Sequence, residues 1–106
     1  MSRVYDKSVV IQKQNEQTEL WEDFLDKPLH ASVNTALGKA VGFAADADQF
    51  HAQLVFEFRY MSVLEELRYT PQLFRLRYRG HTYRVVGYDD YLEQHRTVRI
   101  TGALYE

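Results

Sequence analysis

The sequence predicts a mainly β protein, a small antiparallel β-barrel of about six strands with a helical or flexible insertion between strands 2 and 3. The clearest sign is the stretch from residue 53 to 60, where apolar and polar side chains alternate with the period of two of a half-buried strand. The predicted buried face of this strand carries Leu54, Phe56, Phe58 and Tyr60. The opposite face carries Gln53, Glu57 and Arg59 with Val55, and we expect that face to be exposed to water.

Composition supports a β-rich single domain. Aromatic residues make up 14% of the 106 residues, and aromatic side chains favour strands and interfaces. A chain of this length folds around one core, so we predict one domain over residues 1–106. Cysteine is absent, which excludes disulfides and cysteine-ligated metal. Because no apolar run is long enough for a membrane span or a signal peptide, we expect neither.

Two further strands are predicted in the first half of the chain. Residues 8–12 are short and β-branched, and residues 29–35 alternate after Pro28 restarts the chain. Between them, residues 14–26 are polar and acidic. There the spacing of Trp21, Phe24 and Leu25 fits either one helical turn or a loop anchored by aromatic side chains.

Residues 36–49 differ from the rest, because they are rich in alanine and interrupted by two glycines. Leu37, Val41, Ala44 and Ala47 would share one face of a helix. Each glycine in a helix interior costs about 1 kcal/mol, so an isolated helix would be marginal. The segment is therefore either an insertion that a partner orders or a short amphipathic helix that plugs the end of the barrel.

The second half begins with a helical turn. Ser62 followed three residues later by Glu65 has the spacing of a capping box, so the turn is predicted to begin at Ser62 and to end before Pro71. Residues 97–101 read as the last strand, with Val98 and Ile100 pointing inward.

Residues 74–86 predict a hairpin with a two-residue turn at positions 79 and 80. This register places Arg75 directly across from Arg84 on the outer face, with Arg77 beside them. Like charges that face each other across two strands are destabilising unless an anion or an acidic partner lies between them. All eight basic residues after Phe58 are arginine, a residue favoured at interfaces over lysine.

No pattern in the sequence points to an enzyme. Asp46 and Asp48 lack the other ligands of a calcium loop, and Asp89 with Asp90 fits a turn better than a catalytic pair. None of the histidines has the spacing of a helical metal site. We therefore expect no catalytic residue, no cofactor and no metal site. The histidines are His30, His51, His81 and His95.

Arginine-rich strands with interleaved tyrosines leave a second possibility, a small nucleic-acid-binding β-barrel. Two observations weigh against it. Tyr60, Tyr78 and Tyr83 fall on the predicted inner face, and the net charge is −2.

The order of these signals along the chain resembles the head–tail joining, or head-closure, family of tailed bacteriophages. The resemblance covers nearly the whole chain, in short pieces, and residues 61–71 depart from it by being longer and more helical. The matching pieces are Val9-Val-Ile-Gln12, Trp21, Ala31-Ser-Val33, Gly38 before the alanine-rich segment, Gln49-Phe-His51, Phe56-Glu-Phe-Arg-Tyr60, Phe74-Arg-Leu-Arg-Tyr78, Gly80-His-Thr-Tyr83, Val85-Val86 and Val98-Arg-Ile100.

The resemblance implies a non-enzymatic virion protein of the phage neck, present in the host cytoplasm during assembly. Such a protein forms a homo-oligomeric ring below the portal and its adaptor, closes the DNA-filled head and offers a docking surface for the tail. Its partners would be further copies of itself, the portal adaptor protein, and a tail terminator or tail-tube protein. Packaged DNA would pass through without sequence-specific binding. Another neck or tail-completion protein of the same fold is the nearest alternative.

Two sets of site residues follow. The family projects the insertion between strands 2 and 3 into the channel as a gate, which implies a gating role here for Leu37, Gly38, Val41, Gly42, Phe43, Asp46 and Asp48. Charge complementarity suggests a head-to-tail contact between neighbouring subunits, with acidic residues of one meeting arginines of the next. The predicted contact residues are Glu19, Glu22, Asp23, Arg75, Arg77 and Arg84.

Overall fold

The computed structural model describes residues 5–35, 53–90 and 93–105. Seven strands and one short helix account for most of this part of the chain. The strands are β1 (Lys7–Gln14), β2 (Trp21–Asp23), β3 (Leu29–Thr35), β4 (Gln53–Arg59), β5 (Phe74–Tyr78), β6 (His81–Asp89) and β7 (Thr97–Leu104). A 3-10 turn (Ser62–Glu65) leads into helix α1 (Glu66–Tyr69), and a second 3-10 turn (Pro71–Leu73) leads into β5.

Six of the strands close into an antiparallel barrel, which confirms the predicted fold class. Along the sheet the order is β2-β1-β3-β4-β7-β6-β5, and β5 pairs back onto β1 to close it. The seventh strand, β2, pairs with the end of β1 through Gln12 and Asp23. The sequence did not predict β2, because three residues with one tryptophan and two acidic side chains carry no strand period.

The barrel interior is filled by alternate residues of every long strand, as the period of two requires. Leu64 and Leu67 add to this core from the 3-10 turn and α1, where both are buried. Gly102 of β7 allows the tightest approach, since a Cβ there would lie 2.9 Å from the Cβ of Tyr83. The largest buried strand residues are Phe56, Phe58, Phe74, Leu76, Val98 and Ile100.

The hairpin between β5 and β6 has the predicted register. Leu76 lies opposite Tyr83, and Arg75 lies opposite Arg84. Both turn residues have positive φ, 52° at Arg79 and 81° at Gly80, as a two-residue hairpin turn of the primed type demands. Only the glycine adopts this conformation freely, and the arginine bears a cost of about 1 kcal/mol.

Of the two alternatives for residues 14–26 the helical turn is wrong, and so is the capping box predicted at Ser62. Residues 14–26 contain no helix, because Asn15 accepts backbone hydrogen bonds that turn the chain directly into β2. Aromatic anchoring, the alternative, is confirmed, since the ring of Phe24 packs edge-on at 4.9 Å from that of Phe74. The helical turn does begin at Ser62, but Met61 is its N-cap and no side chain caps it.

The predicted wet face of β4 is not uniformly wet. Glu57 lies on the outside of the barrel and is only 4% exposed. The hydroxyl of Tyr5 donates to its carboxylate at 2.5 Å, and Nε of Arg99 on β7 donates to it at 3.2 Å. Strand periodicity assigns a face, but the N-terminal segment that covers Glu57 is distant in sequence.

Candidate assembly surface

The predicted interface residues gather on one side of the barrel, where β2, β1, β5 and β6 lie next to one another. Gln12 of β1 connects the acidic and basic groups. Its amide donates to the carboxylate of Asp23 at 3.1 Å, and its carbonyl accepts from Nε of Arg75 at 2.7 Å. The acidic strand β2 and the arginine strand β5 thus flank β1 within one subunit.

Arg75 is held by more than this hydrogen bond. Its guanidinium lies 4.4 Å from the ring centroid of Trp21, within the range of a cation–π contact. The Trp21 side chain reaches it because β2 and β5 both pair with β1. The two contacts together fix the guanidinium against the barrel.

The other two arginines of this surface differ in their partners. Arg77 donates to the hydroxyl of Thr82 on β6, and Thr82 is fully buried. Arg84 is exposed, and it makes no ion pair with any residue that the structure describes. Arg84 is therefore the arginine of this surface that is free to meet a partner.

The acidic residues of the predicted interface lie beside the arginines. Glu19 precedes β2, with a positive φ of 62°, and Glu22 and Asp23 belong to β2. All three are exposed. Within residues 5–35, 53–90 and 93–105, Glu19 and Glu22 form no ion pair. The predicted gating residues (Leu37, Gly38, Val41, Gly42, Phe43, Asp46 and Asp48) lie outside the described residues.

A groove that sequence reasoning missed runs along the same side of the barrel. It encloses about 420 Å³ between β2, the second 3-10 turn, β6 and the end of β7. A β-bulge between Val85 and Gly87 leaves Val86 without a partner on β7, so its side chain reaches the groove, 47% exposed. The residues that line it include Trp21, Pro71, Phe74, Arg84, Val86 and Tyr105.

The end of the barrel at which β7 begins is closed by side-chain contacts. Asp90 is buried, and its carboxylate lies 2.6 Å from Nδ1 of His95 and accepts the backbone N–H of His95 at 3.0 Å. The ring of His95 stacks on that of Tyr60, with centroids 4.3 Å apart. Asp90 therefore ties the loop between β6 and β7, a role that its pairing with Asp89 in sequence did not indicate.

Tyr60 is also held by Glu65. Its hydroxyl donates to that carboxylate, and this hydrogen bond, together with burial, raises the pKa of Tyr60 to about 12. Burial similarly raises the pKa of Tyr88 to about 12. This use of Glu65 explains why it does not complete a capping box with Ser62.

The structure gives no site for metal chemistry in its described part. Across residues 5–35, 53–90 and 93–105, no three His, Asp or Glu side chains are close enough to hold an ion. No helix in these ranges is both long and apolar enough to cross a membrane.

Comparison with known proteins assigns the chain to a family. Residues 2–103 match the phage head completion proteins. This chain belongs to that family. The match spans nearly the whole barrel, so the resemblance in the sequence is confirmed. A search among curated proteins found no significant match.

Family membership fixes the coarse role of the protein. Head completion proteins are structural proteins of the virion, so this chain has a structural part in closing the phage head. It acts together with other head or tail proteins and is associated with the virion.

Proposed function

We propose that this head completion protein forms a homo-oligomeric ring in the phage neck, beneath the portal and its adaptor. There it closes the DNA-filled head and offers the surface on which a tail terminator or tail-tube protein docks. The family match along residues 2–103 carries the proposal. The closed barrel supports it, because a sheet without long open edges stacks against partners as a rigid unit and does not extend into fibres.

Loss of the protein from its phage tests the proposal. Particles assembled without it should be full heads that lack tails and lose DNA, which electron microscopy and nuclease sensitivity of the packaged DNA would detect. Purified protein added to such heads should restore tailed, infectious particles. Tailed particles that retain DNA in the absence of the protein would contradict the proposal.

The predicted contact between subunits stays part of this proposal. Reversing the charge of Arg75 and Arg84 together should prevent ring formation in native mass spectrometry while the monomer stays folded. Because the acidic and basic groups share one side of the barrel, the same contact also allows a two-fold dimer. Unchanged rings from the double variant would exclude these arginines from the ring contact.

The gating role of residues 36–49 also stays a prediction. A gate should exchange its amide hydrogens faster in the isolated subunit than β4 does, whereas a helix docked in the core should exchange as slowly as β4. Hydrogen exchange followed by mass spectrometry distinguishes the two. Slow exchange over residues 37–47 would remove the case for a gate.

The nucleic-acid alternative has less support. Tyr78 and Tyr83 are buried and pack edge-on against Phe56, with centroids 5.6 and 5.4 Å away, so their faces are not open to bases. We expect weak binding of free DNA at physiological salt. A submicromolar affinity that falls steeply with salt would favour the alternative instead.

A further inference from the structure

The groove beside β6 has an apolar part that nothing in the described chain covers. Val86 and Tyr105 expose 47% and 46% of their surface there, and Pro71 lies across from them. A β-bulge directs Val86 to this position, and bulges commonly redirect a side chain toward a functional surface. An apolar side chain of a partner could pack between these residues.

The lining of the same groove includes an arginine and no acidic residue of the described chain. Arg84 lines it, and Arg75 lies directly opposite on the neighbouring strand. Trp21 and Gln12 hold Arg75 in place at the strand position opposite Arg84, so this edge of the groove carries a like-charge pair with no described counterion. A carboxylate placed between them would relieve the repulsion, since arginine binds carboxylates through two parallel hydrogen bonds.

We propose that this groove binds an extended, acidic segment of another head or tail protein, with one apolar side chain seated against Val86 and Tyr105. This inference rests on the proposed function, because it takes the binding partner to be another protein of the virion. Carboxylates of the segment would lie along Arg84 and Arg75.

A second copy of this chain fits the groove less well as part of a ring. The exposed acidic residues that it could offer, Glu19, Glu22 and Asp23, lie on both sides of Trp21, and Trp21 lines the groove itself. Segment and groove therefore share one side of the subunit, so two copies that place this segment in each other's grooves would form a two-fold dimer and leave no groove for a third copy. DNA fits less well still, because the groove wall is largely apolar and a nucleic-acid backbone needs a basic patch along its length.

Binding of short synthetic peptides to the full-length protein tests the proposal. The probe is an acetylated hexapeptide of four glutamates around two phenylalanines. Its controls are the same peptide with glycine in place of phenylalanine and with lysine in place of glutamate. In NMR spectra at low salt, the first peptide should shift the indole N–H of Trp21 and the amides of Val86 and Tyr105.

Two variants with matched charge changes sharpen the test. Arg84→Glu should weaken binding of the acidic phenylalanine peptide by about tenfold or more, as loss of an anchoring arginine does. Arg96→Glu should leave the affinity unchanged, because Arg96 precedes β7 and the groove lies at the other end of that strand, about 26 Å away. Dispersed NMR spectra of both variants would show that they are folded.

Several outcomes would overturn the inference. They are absence of binding, equal binding of the glycine peptide or the lysine peptide, equal affinity of Arg84→Glu, and tighter binding of a single-stranded oligonucleotide. A variant that loses self-association but binds the peptide normally would assign Arg84 to the subunit contact instead. Failure here is distinct from failure of the proposed function, since peptide binding is measured on the isolated protein and head closure on particles.

Discussion

Two pairs of residues that face each other across neighbouring strands show how differently the two sides of the barrel are built. On the β4–β7 side, Glu57 lies opposite Arg99, and the carboxylate is buried under Tyr5 and the guanidinium. On the β5–β6 side, Arg75 lies opposite Arg84, and no described acidic group comes between them. The first pair joins opposite charges and the second joins like charges.

The difference separates a contact that stabilises the subunit from one that does not. A cross-strand pair of opposite charge contributes a few tenths of a kcal/mol up to about 1 kcal/mol, and a pair of like charge costs a similar amount. The isolated subunit thus bears a small cost at Arg75 and Arg84. A partner that brings carboxylates to this side would recover that cost on binding. The β5–β6 side is accordingly where we place the contact with other virion proteins.

The largest expected effect concerns the opposite-charge pair. Glu57→Ala should lower the free energy of unfolding by about 2–3 kcal/mol, because Tyr5 and Arg99 lose a charged hydrogen-bond acceptor at a buried position. The midpoint of urea unfolding, with its slope unchanged, measures this. Glu66→Ala is the control, since its ion pair with Lys13 is exposed and should contribute about 0.5 kcal/mol or less. Equal effects of the two substitutions would contradict the contrast between the sides.

A smaller effect of opposite sign is expected at the like-charge pair. Arg84→Glu should raise the free energy of unfolding by about 0.5 kcal/mol, since it converts repulsion of Arg75 into attraction. Arg84→Gln should give a smaller gain, and added salt should reduce both gains by screening. Chemical unfolding at two salt concentrations measures these differences. A loss of stability in Arg84→Glu would mean that Arg84 supports the fold.

The last effect concerns Tyr60, the residue after β4, and it changes only at high pH. The pKa of Tyr60 is raised to about 12 by its hydrogen bond to Glu65, so the folded state keeps the proton after the unfolded chain loses it. The stability from this bond is fully present below the ordinary tyrosine pKa of about 10, and is lost as the pH rises toward 12. Stability measured against pH should show Tyr60→Phe approaching the wild type in that window. A constant difference between the two proteins would contradict this assignment.

Much of the barrel could be predicted from the sequence, because its main signals are local. The alternation from Leu54 to Phe58 places the core face of β4, and β3 occupies Leu29–Thr35 as expected. The hairpin register follows from the two-residue turn, and it brings Arg75 across from Arg84. The like-charge pair therefore follows from the spacing of the arginines around Gly80.

What the sequence missed depends on contacts between distant residues. β2 forms because its backbone pairs with the end of β1. Burial of Glu57 depends on Tyr5, which is 52 positions away in the sequence. The groove requires a bulge at Val86 and the packing of Trp21 beside it, neither of which has a sequence period. The capping box does not form for a similar reason, since the carboxylate of Glu65 accepts a hydrogen bond from the hydroxyl of Tyr60 instead.

We propose that Arg75 and Arg84, the like-charge pair of the β5–β6 side, serve assembly and not folding. The most direct test adds the Arg84→Glu variant to heads that lack the native protein and measures head closure. The Arg96→Glu variant is added to the same heads in parallel. The fraction of tailed, DNA-retaining particles is counted by electron microscopy, alongside the unfolding free energy of each variant. We predict that Arg84→Glu is at least as stable as the wild type yet yields few tailed particles, whereas Arg96→Glu yields normal numbers. Normal numbers of tailed particles with Arg84→Glu would contradict the claim.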